Sequence, residues 1–311
     1  LTTRARAVVW QAAVVVLVGG IIAAAAMQTA SNLELRGIAS GFDYLGRAAG
    51  FEISRGPVAY SSRDSYARAL GVGVINTVRV SLLAAVIAAA LGLSIGIARL
   101  SNLWIVSALS KAYIEVMRNT PLLLQLLFWY ALSQALPAPR HALHPLPGVF
   151  LCFRGLYLPG PTGSPVLTGF DYQGGISISP EFAALLIGLS TCTAAFIGEI
   201  VRGGILAVDR GQTEAAAALG LSRMQRLRLV VFPQALRVMV PPATSQFLNL
   251  VKNSSLAVAI GYPDLISITS TTLNQTGQAI EAIGLAAIIY LAISLTISLA
   301  LHLGDRTGVY A

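Results

Sequence analysis

Charge is scarce in this chain. Only 11% of its 311 residues are Asp, Glu, Lys or Arg, and Lys111 and Lys252 are the only lysines. A soluble domain carries about a quarter charged residues, so a wholly water-facing surface is excluded. Two cysteines, Cys152 in a loop and Cys192 in an apolar run, imply neither a disulfide framework nor a metal site. His141, His144 and His302 show no metal-ligand arrangement, and no serine–histidine–acid grouping suggests catalysis. No Gly-x-x-x-x-Gly-Lys-Ser/Thr phosphate loop is present, and both lysines lie in unsuitable contexts. No internal repeat is visible, which counts against carriers built from inverted halves.

Apolar residues fill the space. The chain is 55% hydrophobic, with a mean hydropathy of +0.72. Its formal charge of +8 would suggest nucleic acid in a soluble protein. Here the arginines are scattered and no stacking aromatics accompany them, so the expected partner is the lipid bilayer, not nucleic acid. A transmembrane helix needs roughly 20 mostly apolar residues, and several windows reach that length. The fold expected is an all-α integral membrane protein of about six transmembrane helices.

Residues 7–27 are the first apolar run, preceded by Arg4 and Arg6. A signal peptide competes for this stretch, but the run exceeds the usual core of roughly 7–15 residues, which favours a retained helix. Residues 28–72 are polar, with Arg36, Arg47, Arg55, Arg63 and Arg68 balanced by Glu34, Asp43, Glu52 and Asp64. The second run is 74–98, ending at Arg99, with Lys111 in a short loop after it. Thr120-Pro121 reads as an N-cap with proline at the first helical position, opening a third span to residue 136. Eight of the fourteen prolines fall in 137–180, which makes that stretch a loop. A fourth span runs from Glu181 to Gly203, and a fifth over 240–261 is interrupted by Pro241-Pro242. The sixth covers 284–303, before a tail with Asp305 and Arg306.

Basic residues in short loops favour the cytoplasm. Arg99, Lys111 and the six arginines between 202 and 237 fall on one side. The layout expected is therefore an N-terminal helix (1–27), a periplasmic segment (28–72), a transmembrane domain (73–303) and a cytoplasmic tail (304–311). Within the domain, 137–180 is a periplasmic loop and 204–238 a cytoplasmic one. Both termini are then cytoplasmic.

The 204–238 stretch holds the strongest signal. Residues 212–219 are helix formers, with Ala215 to Ala218 presenting little bulk, and Gly220 suits a left-handed helix end. Ser222 followed by Gln225 is a capping box, so a second helix starts at once. Arg223, Arg226 and Arg228 line it, and Pro233 marks its end or a kink. Two short helices at an angle make a rigid protrusion.

Glu214-Ala215-Ala216, three residues, Gly220, nine residues, Val230, one residue and Phe232-Pro233 form a pattern. It resembles the EAA loop of bacterial ABC importer permeases, which sits in a cleft of the ATPase subunit. The resemblance assigns ATPase coupling to Arg210, Gln212, Glu214, Ala215, Ala216, Gly220, Leu221, Ser222 and Arg223. ATP and Mg would be bound by a partner chain, with no cofactor here. Arg118-Asn119-Thr120-Pro121-Leu122-Leu123 with Gln125 is similar to the polar amino-acid (HisM-type) permeases, and so is Lys252-Asn253-Ser254-Ser255-Leu256-Ala257 with Asp264-Leu265. Arg154-Gly155-Leu156-Tyr157-Leu158-Pro159 and Gly169-Phe170-Asp171-Tyr172 with Gly174-Gly175 resemble the general L-amino-acid subfamily of the AapQ/BztB type.

That likeness implies a type I (MetI-like) permease core of five helices plus an N-terminal helix, in a bacterial inner membrane. It also implies a second, similar permease as heterodimer partner, an ATPase dimer and a periplasmic amino-acid-binding protein. Many members of the subfamily carry extra hydrophobic sequence between the last two motifs, where Pro161 to Pro165 joins them directly here. Either this member is shorter, or a segment is missing and the span count is low by about two.

Ser245, Asn249, Lys252 and Asn253 recur at helical spacing along one face of the fifth run. Polar side chains at membrane depth are costly unless they face protein or water, so the stripe suggests a substrate pathway. Lys252 or Arg118 would attract a carboxylate. Asn249, Asn253 and Gln125 would supply hydrogen bonds, and Ser254 and Ser255 would let the backbone break. The competing reading packs the stripe between helices with Lys252 snorkelling to an interface. Glu199 with Arg202, and Glu115 with Arg118, suit intrahelical pairs. Two functional alternatives stand beside amino-acid import: a permease for another polar solute such as a sugar or an opine, and a self-sufficient channel or secondary carrier.

Overall fold

The computed structural model describes residues 3–35, 40–53, 56–161 and 163–306. Arg36, Arg55 and tail residues 307–311 lie outside them. The first helix, α1 (Thr3–Leu35), extends past the expected end at residue 27. Its side chains from 6 to 25 are exposed, as suits a helix lying in lipid.

The polar segment then closes over the next helix. Tyr44, in a short 3-10 turn (Asp43–Gly46), is fully buried, and its ring meets Tyr66 edge-on at 5.9 Å. Helix α2 (Tyr66–Ala98) begins eight residues before the apolar run, because Ser65 Oγ accepts from the Arg68 N–H at 3.3 Å and caps a polar first turn.

Only residues 99–103 separate α2 from a further helix, α3 (Trp104–Asn119), so Lys111, expected in a loop, is helical and pairs with Glu115 at 3.7 Å. Glu115 was expected to pair with Arg118, and the i,i+4 partner takes its place. Thr120 does not cap the following helix. Its backbone N–H and its Oγ1 both donate to Val116 O, closing α3, and Pro121 occupies the cap position of α4 (Leu122–Gln134). With 13 residues, α4 is about 20 Å long, short of the roughly 30 Å hydrocarbon core. Crossing the bilayer here therefore requires α3 as well.

Loop 137–180 has a small core of its own. Strands β1 (Phe150–Cys152), β2 (Gly155–Leu158) and β5 (Ile176–Ile178) form an antiparallel sheet in the order β1-β2-β5. A hairpin of β3 (Val166–Thr168) and β4 (Asp171–Gln173) sits beside it. The register sets Phe150 opposite Tyr157 and Leu156 opposite Ile178. Tyr157 is fully buried, stacks near Tyr172 at 5.0 Å and donates to Asp171 Oδ1 at 2.6 Å. Cys152 lies in the same core, and burial pushes its thiol pKa up, which disfavours the reactive thiolate. Maleimide added to the folded protein at neutral pH should leave Cys152 unlabelled, and denaturant should expose it. Rapid native labelling, read by mass spectrometry, would contradict this packing.

Helix α5 (Pro180–Leu206) starts at an N-cap from Ser179 Oγ to the Phe182 N–H and is the most buried of the crossing helices. It packs along α2 through small residues. A Cβ on Gly92 would lie 2.6 Å from Ile197 Cβ, and one on Gly96 2.6 Å from Gly198 O. Without those side chains the two backbones approach directly.

After α6 (Arg210–Ala218) and α7 (Arg223–Arg226) the chain passes through a π turn, Leu227–Val231, straight into α8 (Phe232–Asn253). Pro233 therefore does not end the helix. The Phe232 N–H bonds Leu227 O; the wider turn accommodates a proline ring that would press on the carbonyl four residues earlier. Pro241 and Pro242 likewise lie inside α8 without interrupting it. The expected break at Ser254 is a tightening instead. Residues Ser254–Ile260 are 3-10, and the Ser254 and Ser255 hydroxyls donate to Val251 O and Lys252 O, each at 2.7 Å.

A further helix, α9 (Leu265–Thr276), follows a 52° bend, capped by Asp264 Oδ1 accepting from the Ser267 N–H. The last helix, α10 (Ala279–Arg306), is longer than the expected 284–303 and absorbs residues 304–306 of the presumed tail. Among the described residues, four helices alone are long and apolar enough to cross a membrane: α1, α2, α5 and α10. The bent α8–α9 pair makes a fifth if counted as one span.

Candidate functional site

The protrusion forms at α6 and α7. Asp209 Oδ1 accepts from the Gly211 N–H at 2.6 Å and starts α6. At the other end Gly220 adopts φ +79°, the Leu221 N–H bonds Ala216 O at 3.2 Å, and the Gly220 N–H bonds Ala217 O at 2.9 Å. This paired closure is the Schellman motif, and it needs a residue that tolerates the left-handed region. The capping box forms as the sequence predicts. Ser222 Oγ accepts from the Gln225 N–H at 3.4 Å, and Gln225 Oε1 accepts from the Ser222 N–H at 2.9 Å.

Within this bend Ala216 faces inward and is buried, and Leu221 is half-buried. Arg210, Gln212, Glu214, Ala215, Gly220, Ser222 and Arg223 are exposed. Two apolar side chains that sequence reasoning did not select stand with them: Leu219 is 82% exposed and Met224 70%. Their signal was adjacency to the glycine and to the cap. Large apolar groups held out by a rigid turn are what a partner surface can bury.

Ser245, Asn249, Lys252 and Asn253 are all exposed on α8, whereas Leu250 and Val251 are buried. The stripe is thus not packed between helices of this chain. No ion pair to Lys252 forms among the described residues. The Ser245 hydroxyl reaches only Pro241 O, at 3.5 Å.

Arg118 and Gln125 are placed differently. Arg118 is exposed, lies over the Phe196 ring at 5.2 Å, and lines a pocket of about 290 Å³ with Arg99, Asn119 and Glu199. Gln125, expected among the pathway residues, is buried, and its Nε2 donates to Met117 O and Thr120 O, each at 3.0 Å. It staples the break between α3 and α4 and is not presented to a pathway in this conformation. Glu199 does pair with Arg202 within α5, at 2.6 Å, and also with Arg99 from the end of α2, at 2.5 Å. The second arginine was missed because nothing in spacing relates residues a hundred positions apart.

Polar caps, a bundle of apolar helices joined by close glycine contacts, and a protruding helix–turn–helix define a polytopic membrane protein. The chain belongs to the family described as the binding-protein-dependent transport system inner membrane component, whose model matches residues 83–306. It is therefore a multi-pass inner-membrane protein of ABC-type transport, a permease and not an enzyme.

It is 43% identical, over 97% of its length and 93% of the relative's, to the putative amino-acid ABC transporter permease protein YhdX of Escherichia coli K12. It is 39% identical, over 94% and 90%, to the general L-amino acid transport system permease protein AapQ of Rhizobium johnstonii. Those alignments run over 367 and 359 positions, more than the 311 residues present. Both relatives therefore carry stretches without counterpart here. Between the two motifs where such a stretch was expected, Gly160 and Gly163 exchange N–H···O bonds of 3.0 and 2.9 Å in a tight turn. Among solved structures, an amino acid ABC transporter crystallised with histidines matches 78% of this chain and 95% of its own, with a TM-score of 0.60 and 30% identity. The all-α, type I importer fold stands.

Proposed function

We propose that this chain is the permease subunit of an ATP-driven L-amino-acid importer, moving substrate by alternating access under the control of a separate ATPase. One observation carries the reading: a rigid knob with exposed Leu219 and Met224 is continuous, through the π turn, with the membrane helix α8 that bears the polar stripe. Motion imposed on the knob is thereby delivered to the stripe. The names of the two relatives given above, both amino-acid permeases, support the cargo.

In this reading α6 and α7 dock in the ATPase on the cytoplasmic side, with both chain termini on that side and ATP and Mg in the partner. The segment between α1 and α2 and the loop between α4 and α5 face the periplasm, where a binding protein delivers amino acids. A second, similar permease covers the exposed face of α8. A lysine turned toward lipid is costly, about 2.5–3.5 kcal/mol at a helix centre, so Lys252 faces water or that second subunit. There it attracts the substrate carboxylate, with Asn249 and Asn253 beside it.

Reconstitution tests the whole scheme. Vesicles holding the complete complex should take up amino acids only with internal ATP and external binding protein. Robust flux through the chain without an ATPase would replace the importer by a channel or carrier. Lys252→Met tests the pathway: uptake should fall several-fold, about the factor that one lost charge contact of ~1 kcal/mol implies, with binding to the receptor unaltered. Unchanged uptake kinetics would remove Lys252 from the path.

A further inference from the structure

The last turn of α2, the following loop and the start of α3 form one wall of a groove of about 890 Å³. The opposite wall is α7 and the π turn. Leu100, Leu103, Val106 and Leu227 give it an apolar lining, Arg223 and Arg226 line it as well, and Met224 lines it from the knob. Both guanidinium groups line the groove, so an occupant that brings a strong anionic acceptor is favoured there.

The groove lies where a membrane span ends. It begins at Ile97, in the final turn of α2, and Trp104 next to it is 76% exposed. An exposed tryptophan at the start of a helix beside arginines is the chemistry of the bilayer interface. An apolar trough at that level with two guanidinium groups matches one class of molecule in both parts.

We infer that this groove binds an anionic phospholipid, its acyl chain lying along Leu100, Leu103 and Leu227 and its phosphate accepting hydrogen bonds from Arg226 and Arg223. A free phosphate would leave the apolar wall open to water. A zwitterionic lipid would carry its own ammonium into a positively charged site. The lipid would tie α2 and α3 to the helix that leads into α8, on the leaflet where arginine-rich segments meet anionic headgroups.

Photoactivatable phosphatidylglycerol, with a diazirine on its acyl chain, tests this in the complete complex reconstituted in vesicles. Peptide 97–106 should be labelled about fivefold more by that probe than by its phosphatidylcholine analogue, the factor of one arginine–anionic-lipid attraction. Arg226→Gln should abolish the difference. Arg228→Gln, which changes an exposed arginine outside the groove, should preserve it. Should Arg226→Gln not assemble, Arg226→Lys keeps the charge, removes the planar fork of donors and should give an intermediate ratio. Equal labelling by both lipids, or an unchanged ratio in the Arg226 variants, would overturn the assignment. So would displacement of the probe by inorganic phosphate, or labelling that appears only after the ATPase is stripped away.

Discussion

Vesicles carrying a Gly220→Val transporter should hydrolyse ATP while amino-acid uptake falls at least about tenfold. The residue sits at φ +79°, where a β-branched side chain costs on the order of 1–3 kcal/mol. A strain near 2 kcal/mol reduces the population of the native turn roughly thirtyfold. The effect is local, because a Cβ at this position meets nothing within 4 Å. The helices of the bundle keep their packing, so the chain should reach the membrane in normal amount. What is lost is the angle between α6 and α7, and with it, in the proposed docking, the presentation of Leu219 and Met224. Gly220→Asn, a residue that tolerates the left-handed region, should recover most of the uptake. Normal coupling in the valine variant would mean that the bend has no part in transmission.

The second large effect is structural. Gly96→Val should lower the melting midpoint of the detergent-solubilised protein by ~10 °C, from a loss of about 3 kcal/mol. The new Cβ would stand 2.6 Å from Gly198 O and 2.6 Å from Val201 Cβ. One of those atoms is backbone, so no rotamer change relieves the clash and α2 must separate from α5. Gly71→Ala and Gly203→Ala are the controls. Each lies on one of the same two helices with nothing within 4 Å of its Cβ, and alanine favours the helix by roughly 0.5–1 kcal/mol. A Gly96 variant as stable as these controls would refute the close approach of the two helices.

Local chemistry was the most legible part of the sequence. Ser222 and Gln225 form the box that their spacing predicts, and Gly220 takes the left-handed turn. The misses follow from physics that a hydropathy window does not contain. Helix α3 has charges at Lys111, Glu115 and Arg118 and so interrupts the apolar average, although its periodicity is helical. Helix α9 is rich in hydroxyls. Thr269, Thr271, Thr272 and Thr276 each donate to the carbonyl four residues back, which hides their polarity along the helix. Pro241 and Pro242 read as breaks, yet tertiary packing holds α8 helical through them. Strands of three or four residues in the 137–180 loop have too little periodicity to register. In the candidate site, the exposure of Leu219 and Met224 and the burial of Gln125 depend on contacts across the chain.

The π turn at Leu227–Val231 has a mechanical meaning. It lets Arg223 to Asn253 run on as one arm about 46 Å long, with its widened turn close to the exposed Met224. A tilt of ~10° about that turn displaces Lys252, roughly 34 Å along the helix, by about 6 Å. A small rotation near the protrusion is therefore felt at Lys252 and Asn249, with no residue between them having to unfold.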